Sequence, residues 1–370
     1  MKKRIIVSVS NDLYSDQRVR KVCNSLYNSG FEIVLLGRKL PDSKEVTDRP
    51  YSIRRFKLTF KSGALFYTSL NIRLFLYLLF HKADVLLAND LDTLLPNYLV
   101  SKIKGIPLVY DTHELFTEVP ELEDRYSKKV WEWIEVLIFP KLKNVFTVND
   151  SIANIYNKKY GVEINVIKNI PTRSEAFVPE TKSDLGLDKI GKYIILQGAG
   201  INIDRGAEEL VEAMKYVDAA SLLIVGSGDV LPKLKTLVED LDLKQKVIFI
   251  DKQSPARLKS YTFYAEIGIS LDKNTNLNYK YSLPNKIFDY LQVGIPILAS
   301  DLPEIKKVVL GYNVGVICKN HKPMEISKCI NNMLESNAKE ELKDNIKKAS
   351  SIFCWENQED ILLKVYRKFL

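Results

Sequence analysis

The chain has 370 residues, 46% hydrophobic and 27% charged, a globular composition long enough for two domains and unlike that of a disordered chain. Its net charge of +8 is uneven: up to Lys168 there are 26 Lys and Arg against 19 Asp and Glu (+7), and beyond it 28 against 27 (+1). Cys23, Cys318, Cys329 and Cys354 and the three histidines lack metal-ligand spacing, which argues against a structural zinc site.

The chain opens on a basic start and a short apolar strand, 4–10, that gives way to Ser10-Asn11-Asp12; this is too short for a signal-peptide core. After Ser15 the stripe Val19, Val22, Cys23, Leu26 predicts an amphipathic helix. A strand at 32–36 follows. The segment 56–80, flanked by Arg54 and Arg55, mixes Lys57, Lys61 and Arg73 with Phe60, Leu65, Phe66, Tyr67 and Leu70. It reads as a core helix with a solvated rim, or as a basic amphipathic surface for anionic lipid. The most apolar run, 74–80, is seven residues against the roughly 20 that a span needs, so no membrane crossing and a cytoplasmic chain are expected.

Strands at 84–88, 107–110 and 144–148 complete a first series. Lys168-Asn169-Ile170-Pro171-Thr172-Arg173 and a polar stretch to Lys192 read as a linker. A second series begins at 193–197 and continues at 221–225, 246–250, 266–270, 296–299 and 314–317, with the helical stripe Leu210, Val211, Met214, Val217 after its first strand. Short Ile/Leu/Val runs alternating with helices predict α/β domains with parallel sheets covered on both faces.

Gln197-Gly198-Ala199-Gly200 and Asp204-Arg205-Gly206 lie at the carboxyl end of a strand, ahead of a helix. Glycines there let backbone approach a ligand, and helix N–H groups can meet a phosphate. Arg205 suits a diphosphate through bidentate contacts; the plainer reading is a tight turn with a surface arginine. Gly226-Ser227-Gly228 forms a second small-residue turn, without the full G-x-G-x-x-G of a dehydrogenase. In 281–300, Pro284 suits the first turn of a helix ending near Val293 at Gly294 and Pro296. The N–H groups near Leu283 and Asn285 would hold phosphate oxygens, and Asp289, about a turn inside, would accept from two ribose hydroxyls.

Pro284-Asn285-Lys286-Ile287-Phe288-Asp289-Tyr290-Leu291, Gly294-Ile295-Pro296 and Ala299-Ser300-Asp301-Leu302-Pro303 resemble the donor-site signature of the family-4-like retaining glycosyltransferases (glycosyl transferases group 1). Ser15-Asp16-Gln17-Arg18-Val19, Tyr110-Asp111-Thr112-His113-Glu114, Gly198 with Arg205-Gly206, and Trp355-Glu356-Asn357-Gln358-Glu359 look like further family segments in the expected order. The resemblance implies the GT-B fold, two Rossmann-like doubly wound domains facing across a cleft. Residues 1–172 with 355–370 would form the acceptor-side domain, the last helix crossing back to it, and 173–354 the donor-binding domain.

The resemblance further implies transfer of a hexose-type sugar from a UDP- or GDP-sugar to a glycan or lipid-linked acceptor, with retention, in cell-surface polysaccharide assembly. His113, Arg205 and Asp289 are the expected catalytic residues. Gly198, Gly200, Gly226, Tyr281, Leu283, Pro284, Asn285 and Lys286 would bind donor with them, and Asp16, Gln17, Arg18, Glu114 and Glu118 would bind acceptor. Two departures stand out. Tyr281 occupies the place of the first carboxylate of the family's E-x7-E pair and Asp289 that of the second; Ala199 occupies the place of an arginine, leaving Arg205 alone or supplemented by Lys286 or Lys280. Asp90-Leu91-Asp92 spells D-x-D but lies in the first series, so no essential metal or other cofactor is expected. The basic residues show no aromatic-interleaved motif, so no nucleic acid is expected. A nucleotide-sugar epimerase or hydrolase, or a non-catalytic nucleotide-sugar scaffold, is the alternative.

Overall fold

A computed structural model describes residues 2–14, 16–122, 125–173 and 177–370; Ser15 and residues 174–176 of the expected linker lie outside the described residues. The chain divides into two compact units, Met1–Asn169 with Glu356–Leu370, and Ile170–Trp355.

The first unit carries a seven-stranded parallel sheet of order β3-β2-β1-β4-β5-β6-β7. Its strands are β1 Arg4–Ser8, β2 Glu32–Lys39, β3 Ser52–Lys57, β4 Val85–Asn89, β5 Leu108–Asp111, β6 Val145–Thr147 and β7 Ile164–Val166. The helices are α1 Gln17–Asn28, α2 Gly63–Phe80, α3 Leu91–Lys104, α4 Tyr126–Ile138 and α5 Asp150–Tyr160. The central strands β1 and β4 are buried but for Arg4 and mostly aliphatic, as a sheet covered on both faces requires. The two edge strands, β3 and β7, escaped the sequence pattern. β3 alternates exposed and half-buried residues and is mostly polar, and β7 has three residues. The last helix, Glu356–Tyr366, joins this unit: Tyr366 is fully buried, edge-on to Phe31 and stacked near Phe146.

α2 corrects the expectation of a short apolar run. It is 18 residues with one charge, Arg73, long and apolar enough to cross a membrane by length and composition. Phe66, Leu70, Leu74 and Leu78, spaced four apart, are buried in the unit, so the helix packs along the domain.

The second unit has a six-stranded parallel sheet of order β10-β9-β8-β11-β12-β13. These are β8 Tyr193–Gly198, β9 Ser221–Gly226, β10 Val247–Asp251, β11 Ile267–Ser270, β12 Ile297–Ser300 and β13 Gly315–Cys318. Its helices are α6 Ala207–Ala213, α7 Leu231–Asp240, α8 Pro255–Phe263, α9 Leu277–Lys280, α10 Asn285–Val293, α11 Pro303–Val309, α12 Pro323–Glu335, α13 Ala338–Glu341 and α14 Lys343–Ile352. Both boundaries shift slightly from the expected ones. Ile170 is fully buried in this unit's core beside Leu185 and Tyr193, and the Trp355 N–H donates to the Pro171 carbonyl at 2.8 Å, so both residues belong to the second unit.

In both sheets the strand order reverses beside the first strand, between β1 and β4 and between β8 and β11. Loops leaving the carboxyl ends of diverging strands open a crevice there.

Candidate functional site

In the second unit the loop after β8 meets the loop after β9. A Cβ on Gly226 would lie 1.8 Å from the Gly198 carbonyl oxygen, and Gly226 has φ +143°, so only glycine fits. Gly206, at φ +73°, is equally constrained: a Cβ would lie 2.2 Å from the Leu271 carbonyl oxygen. At Gly200 a Cβ would meet only the Asn202 side chain, at an ordinary 3.9 Å, so its lack of a side chain is not a packing demand.

This packing aims Arg205 at the β8–β11 reversal. Its Nη1 donates to Asp272 Oδ1 at 2.7 Å, and its guanidinium lies 4.1 Å from the Tyr279 ring centre. The side chain keeps 24% of its surface exposed, whereas Asp272 is fully buried. Burial alone would raise the Asp272 carboxyl, but Lys286 and Arg205 together hold it below the ordinary carboxylate value. Burial lowers the Lys286 ammonium, with Arg205 adding to the effect and Asp272 opposing it. Arg205 thus bonds this carboxylate directly, while Lys286 acts on it through its charge from beyond ion-pair distance. The buried Nε of Arg205 has no hydrogen-bond partner among the described residues, a donor free for an incoming oxygen. Of the two lysines considered, Lys286 joins Arg205; Lys280 lies over the Tyr281 ring at 5.4 Å. Asp272 was missed from the sequence.

α10 enters the same end of the sheet. Pro284 is extended and precedes the helix as its N-cap, one position earlier than expected. The first turn holds Lys286 and no acid, so the N–H groups of Asn285 and Lys286, without intrahelical partners by helix geometry, favour an anion. Leu283 and Tyr281 are half-buried just ahead of it. α6 differs: it has seven residues and carries Glu208 and Glu209 in its first turn, which offset its attraction for phosphate. Asp289, half-buried, accepts from Gln197 Nε2 at 3.3 Å, and Gln197 accepts in turn from Thr262 at 2.5 Å. The carboxylate is thus held in place at the end of β8.

In the first unit, His113 follows β5. Its backbone N–H donates to Asp90 Oδ1 at 2.8 Å; Nδ1 lies 3.1 Å from Asp90 Oδ2 and Nε2 3.4 Å from Asp111 Oδ2. Burial would lower the imidazole, but Asp90 and Asp111 override it and raise His113 well above its usual value, which favours the protonated ring. Asp90 holds this geometry at φ +56°, a backbone region that costs a non-glycine residue about 1–3 kcal/mol. Among the described residues, no group of three or more His, Cys, Asp or Glu side chains is placed to hold a metal ion.

Asp92, the other acid of the D-x-D run, is buried in α3. Burial and then Asp90 push it up to about 7. Its folded value exceeds its unfolded one, so the folded state binds the extra proton and stability falls as pH rises from about 4 to about 7. Asp92→Asn is therefore expected to stabilise the protein above pH 7 by a few kcal/mol at most and to give no gain near pH 4. Urea unfolding at both pH values checks this, and an equal change at both would refute it.

Of the expected acceptor-side residues, Arg18 departs from its expected role. Arg18 is buried in α1: Nε and Nη2 donate to Asp111 at 2.9 and 2.7 Å and Nη1 to the Ile167 carbonyl at 2.8 Å, which makes it a strut. Asp16 is the N-cap of α1, accepting from the Val19 N–H at 3.0 Å, while Gln17 is exposed. Glu114 precedes the short 3₁₀ turn Phe116–Glu118, which ends at Glu118. Glu118 pairs with Lys128 at 3.5 Å, and Glu114 is half-buried beside His113.

Comparison with known proteins agrees with this architecture. Residues 180–351 match the model of glycosyl transferases group 1, and residues 16–171 that of glycosyltransferase family 4. A chitobiosyldiphosphodolichol beta-mannosyltransferase from Yarrowia lipolytica is 26% identical over 166 residues, 43% of this chain; the match spans 34% of that relative's length. Sucrose-phosphate synthase from Thermosynechococcus elongatus superposes with a TM-score of 0.82 at 16% identity, covering 99% of both chains. Anabaena HepE in complex with UDP-glucose gives 0.76 at 13% identity, again over 99% of both. These likenesses show the GT-B fold. With its two halves matched by the two models, the chain belongs to the family-4-like glycosyltransferases of group 1.

Proposed function

We propose that the chain transfers a hexose from a nucleoside-diphosphate sugar to a glycan or lipid-linked acceptor with retention at the anomeric carbon, in cell-surface polysaccharide assembly. One observation carries the reading: at the sheet's reversal point Arg205 bonds the buried carboxylate of Asp272 and Lys286 acts on it through its charge, with the Arg205 Nε left unpartnered among the described residues. As the anomeric bond breaks, negative charge grows on the departing diphosphate. Fixed cations placed there stabilise the transition state more than the ground state. The first turn of α10 adds N–H groups for phosphate oxygens, and Asp289 accepts from the ribose hydroxyls. Gly198 and Gly226 keep the strand ends clear for the nucleotide. His113, held between Asp90 and Asp111, orients the transferred sugar and does not act as a nucleophile. No metal takes part in this reading.

The Anabaena protein solved with UDP-glucose supports a nucleotide-sugar donor, and the Yarrowia relative, named for a diphosphodolichol acceptor, supports a lipid-linked one. Four free cysteines suit a reducing, cytoplasmic location. The test is thermal unfolding with a panel of UDP- and GDP-hexoses, followed by nucleotide release with and without acceptor and with EDTA. One donor at about a hundred times its Kd should add about 2.7 kcal/mol to stability, and release should need acceptor and survive EDTA. Release at the same rate without acceptor would make the chain a hydrolase or epimerase. Binding without turnover would make it a scaffold, the reading that Tyr281 in place of a carboxylate favours.

A further inference from the structure

We propose that the outward face of α2, α3 and α4 docks on an anionic phospholipid bilayer. The three helices form one layer. The Asn71 side chain of α2 donates to the Asp92 carbonyl of α3 at 2.9 Å, and Tyr67 of α2 meets Trp131 of α4 edge-on at 5.2 Å. Each helix buries its inner side and turns apolar residues outward. On α2 these are Leu65, Ile72, Leu76 and Phe80, spaced 7, 4 and 4 residues apart, with Phe80 76% exposed. Ile103 of α3 and Trp133 of α4 are each 62% exposed. Single exposed apolar residues are ordinary; a stripe on α2 with further exposed apolar residues on the two helices packed beside it is an interaction surface.

The surrounding charge selects the occupant. From Ser52 to Lys82 there are six basic residues, Arg54, Arg55, Lys57, Lys61, Arg73 and Lys82, and no acid. α3 ends in Lys102 and Lys104, and α4 begins after Arg125 with Lys128 and Lys129. Of the two acids of α4, Glu135 is buried and paired with Lys159 and Glu132 is half-buried, while Lys128 pairs with Glu118, so Arg125 and Lys129 carry the basic rim there. An apolar face with a basic rim fits the headgroup and acyl boundary of a bilayer that carries negative charge. A second copy of the chain would bring two basic rims together, which like-charge repulsion opposes. α2 is about 27 Å long and is anchored along one side by Phe66, Leu70, Leu74 and Leu78 in the core. It therefore lies in the interface plane and does not span.

The inference does not depend on the transferase reading, because its test uses no donor. The full chain is floated with vesicles of phosphatidylcholine alone or mixed with phosphatidylglycerol, at low and high salt. Wild type should float with the mixed vesicles at low salt, and less at high salt or on phosphatidylcholine. Ile72→Ser/Phe80→Ser/Trp133→Ser should lose at least about tenfold in partitioning with its melting temperature unchanged, since all three side chains are exposed. Failure of wild type to bind mixed vesicles at low salt would overturn the proposal, as would wild-type binding by the triple variant. So would a lipid-free dimer that the same substitutions dissociate, since a second copy would then own the face.

Discussion

Arg205→Ala should cut turnover by about 10²–10³-fold, the usual loss when one preorganised donor to a developing oxyanion is removed. The substitution deletes the Nη1 bond to Asp272, the stack on Tyr279 and the free Nε together. Lys286 still acts on Asp272 through its charge, and Ser270 still donates to its carboxylate at 3.2 Å, so the fold should survive with a drop in melting temperature. The donor-induced thermal shift should shrink with the turnover. Arg205→Lys should recover little, because an ammonium cannot bond Asp272 and reach a diphosphate at once. Steady-state kinetics with the donor found by the thermal panel, together with calorimetric binding of the free nucleoside diphosphate, checks this. Unchanged turnover in Arg205→Ala would remove the basis of the proposed function.

Arg18→Ala should destabilise the protein by about 3–5 kcal/mol, the cost of stripping one partner from a buried ion pair. Arg18 and Asp111 are 3% and 4% exposed and bonded through two parallel contacts. Burial would raise Asp111, but Arg18 and then His113 hold it far below the usual carboxylate value. A depressed acid contributes stability above its unfolded value, near pH 4, and loses it as pH falls through the folded value. The penalty in Arg18→Ala should therefore be full at neutral pH and shrink in acid, where Asp111 protonates. Arg18→Met/Asp111→Asn should recover much of the loss, since no buried charge is then left unpaired. Melting curves of the single and double variants decide the matter. An Arg18→Ala protein of wild-type stability with weakened acceptor use would restore Arg18 as an acceptor contact.

These two arginines show where the sequence is readable. Every strand of the second unit was visible, because even its edge strands, β10 and β13, carry aliphatic runs. β3 and β7 were not, because β3 is mostly polar and β7 has only three half-buried residues. Arg205 could be picked out because glycines and a strand end mark its loop. Arg18 was misplaced because the stripe Val19, Val22, Cys23, Leu26 describes only part of the buried arc of α1. Arg18, Lys21 and Ser25 extend that arc inward, and polar residues at helical spacing look the same whether they face water or a buried carboxylate. Asp272 gave no local signal of its own, and Asp90 only the spelling of a D-x-D run. Both lie just past strand ends, and what they face is set by partners 67 residues away for Asp272 and 23 for Asp90.

The return of the last helix to the first unit has a consequence for how the protein is made. Tyr366 fills the space between Phe31 and Phe146, so the unit that leaves the ribosome first lacks part of its interior until the final turns emerge. The unit of residues 170–355 is contiguous and has no such wait. Domains fold as soon as their own residues are available. The order of completion therefore inverts the order of synthesis: the later-made unit closes first, and residues 356–370 act as the latch that finishes the earlier one.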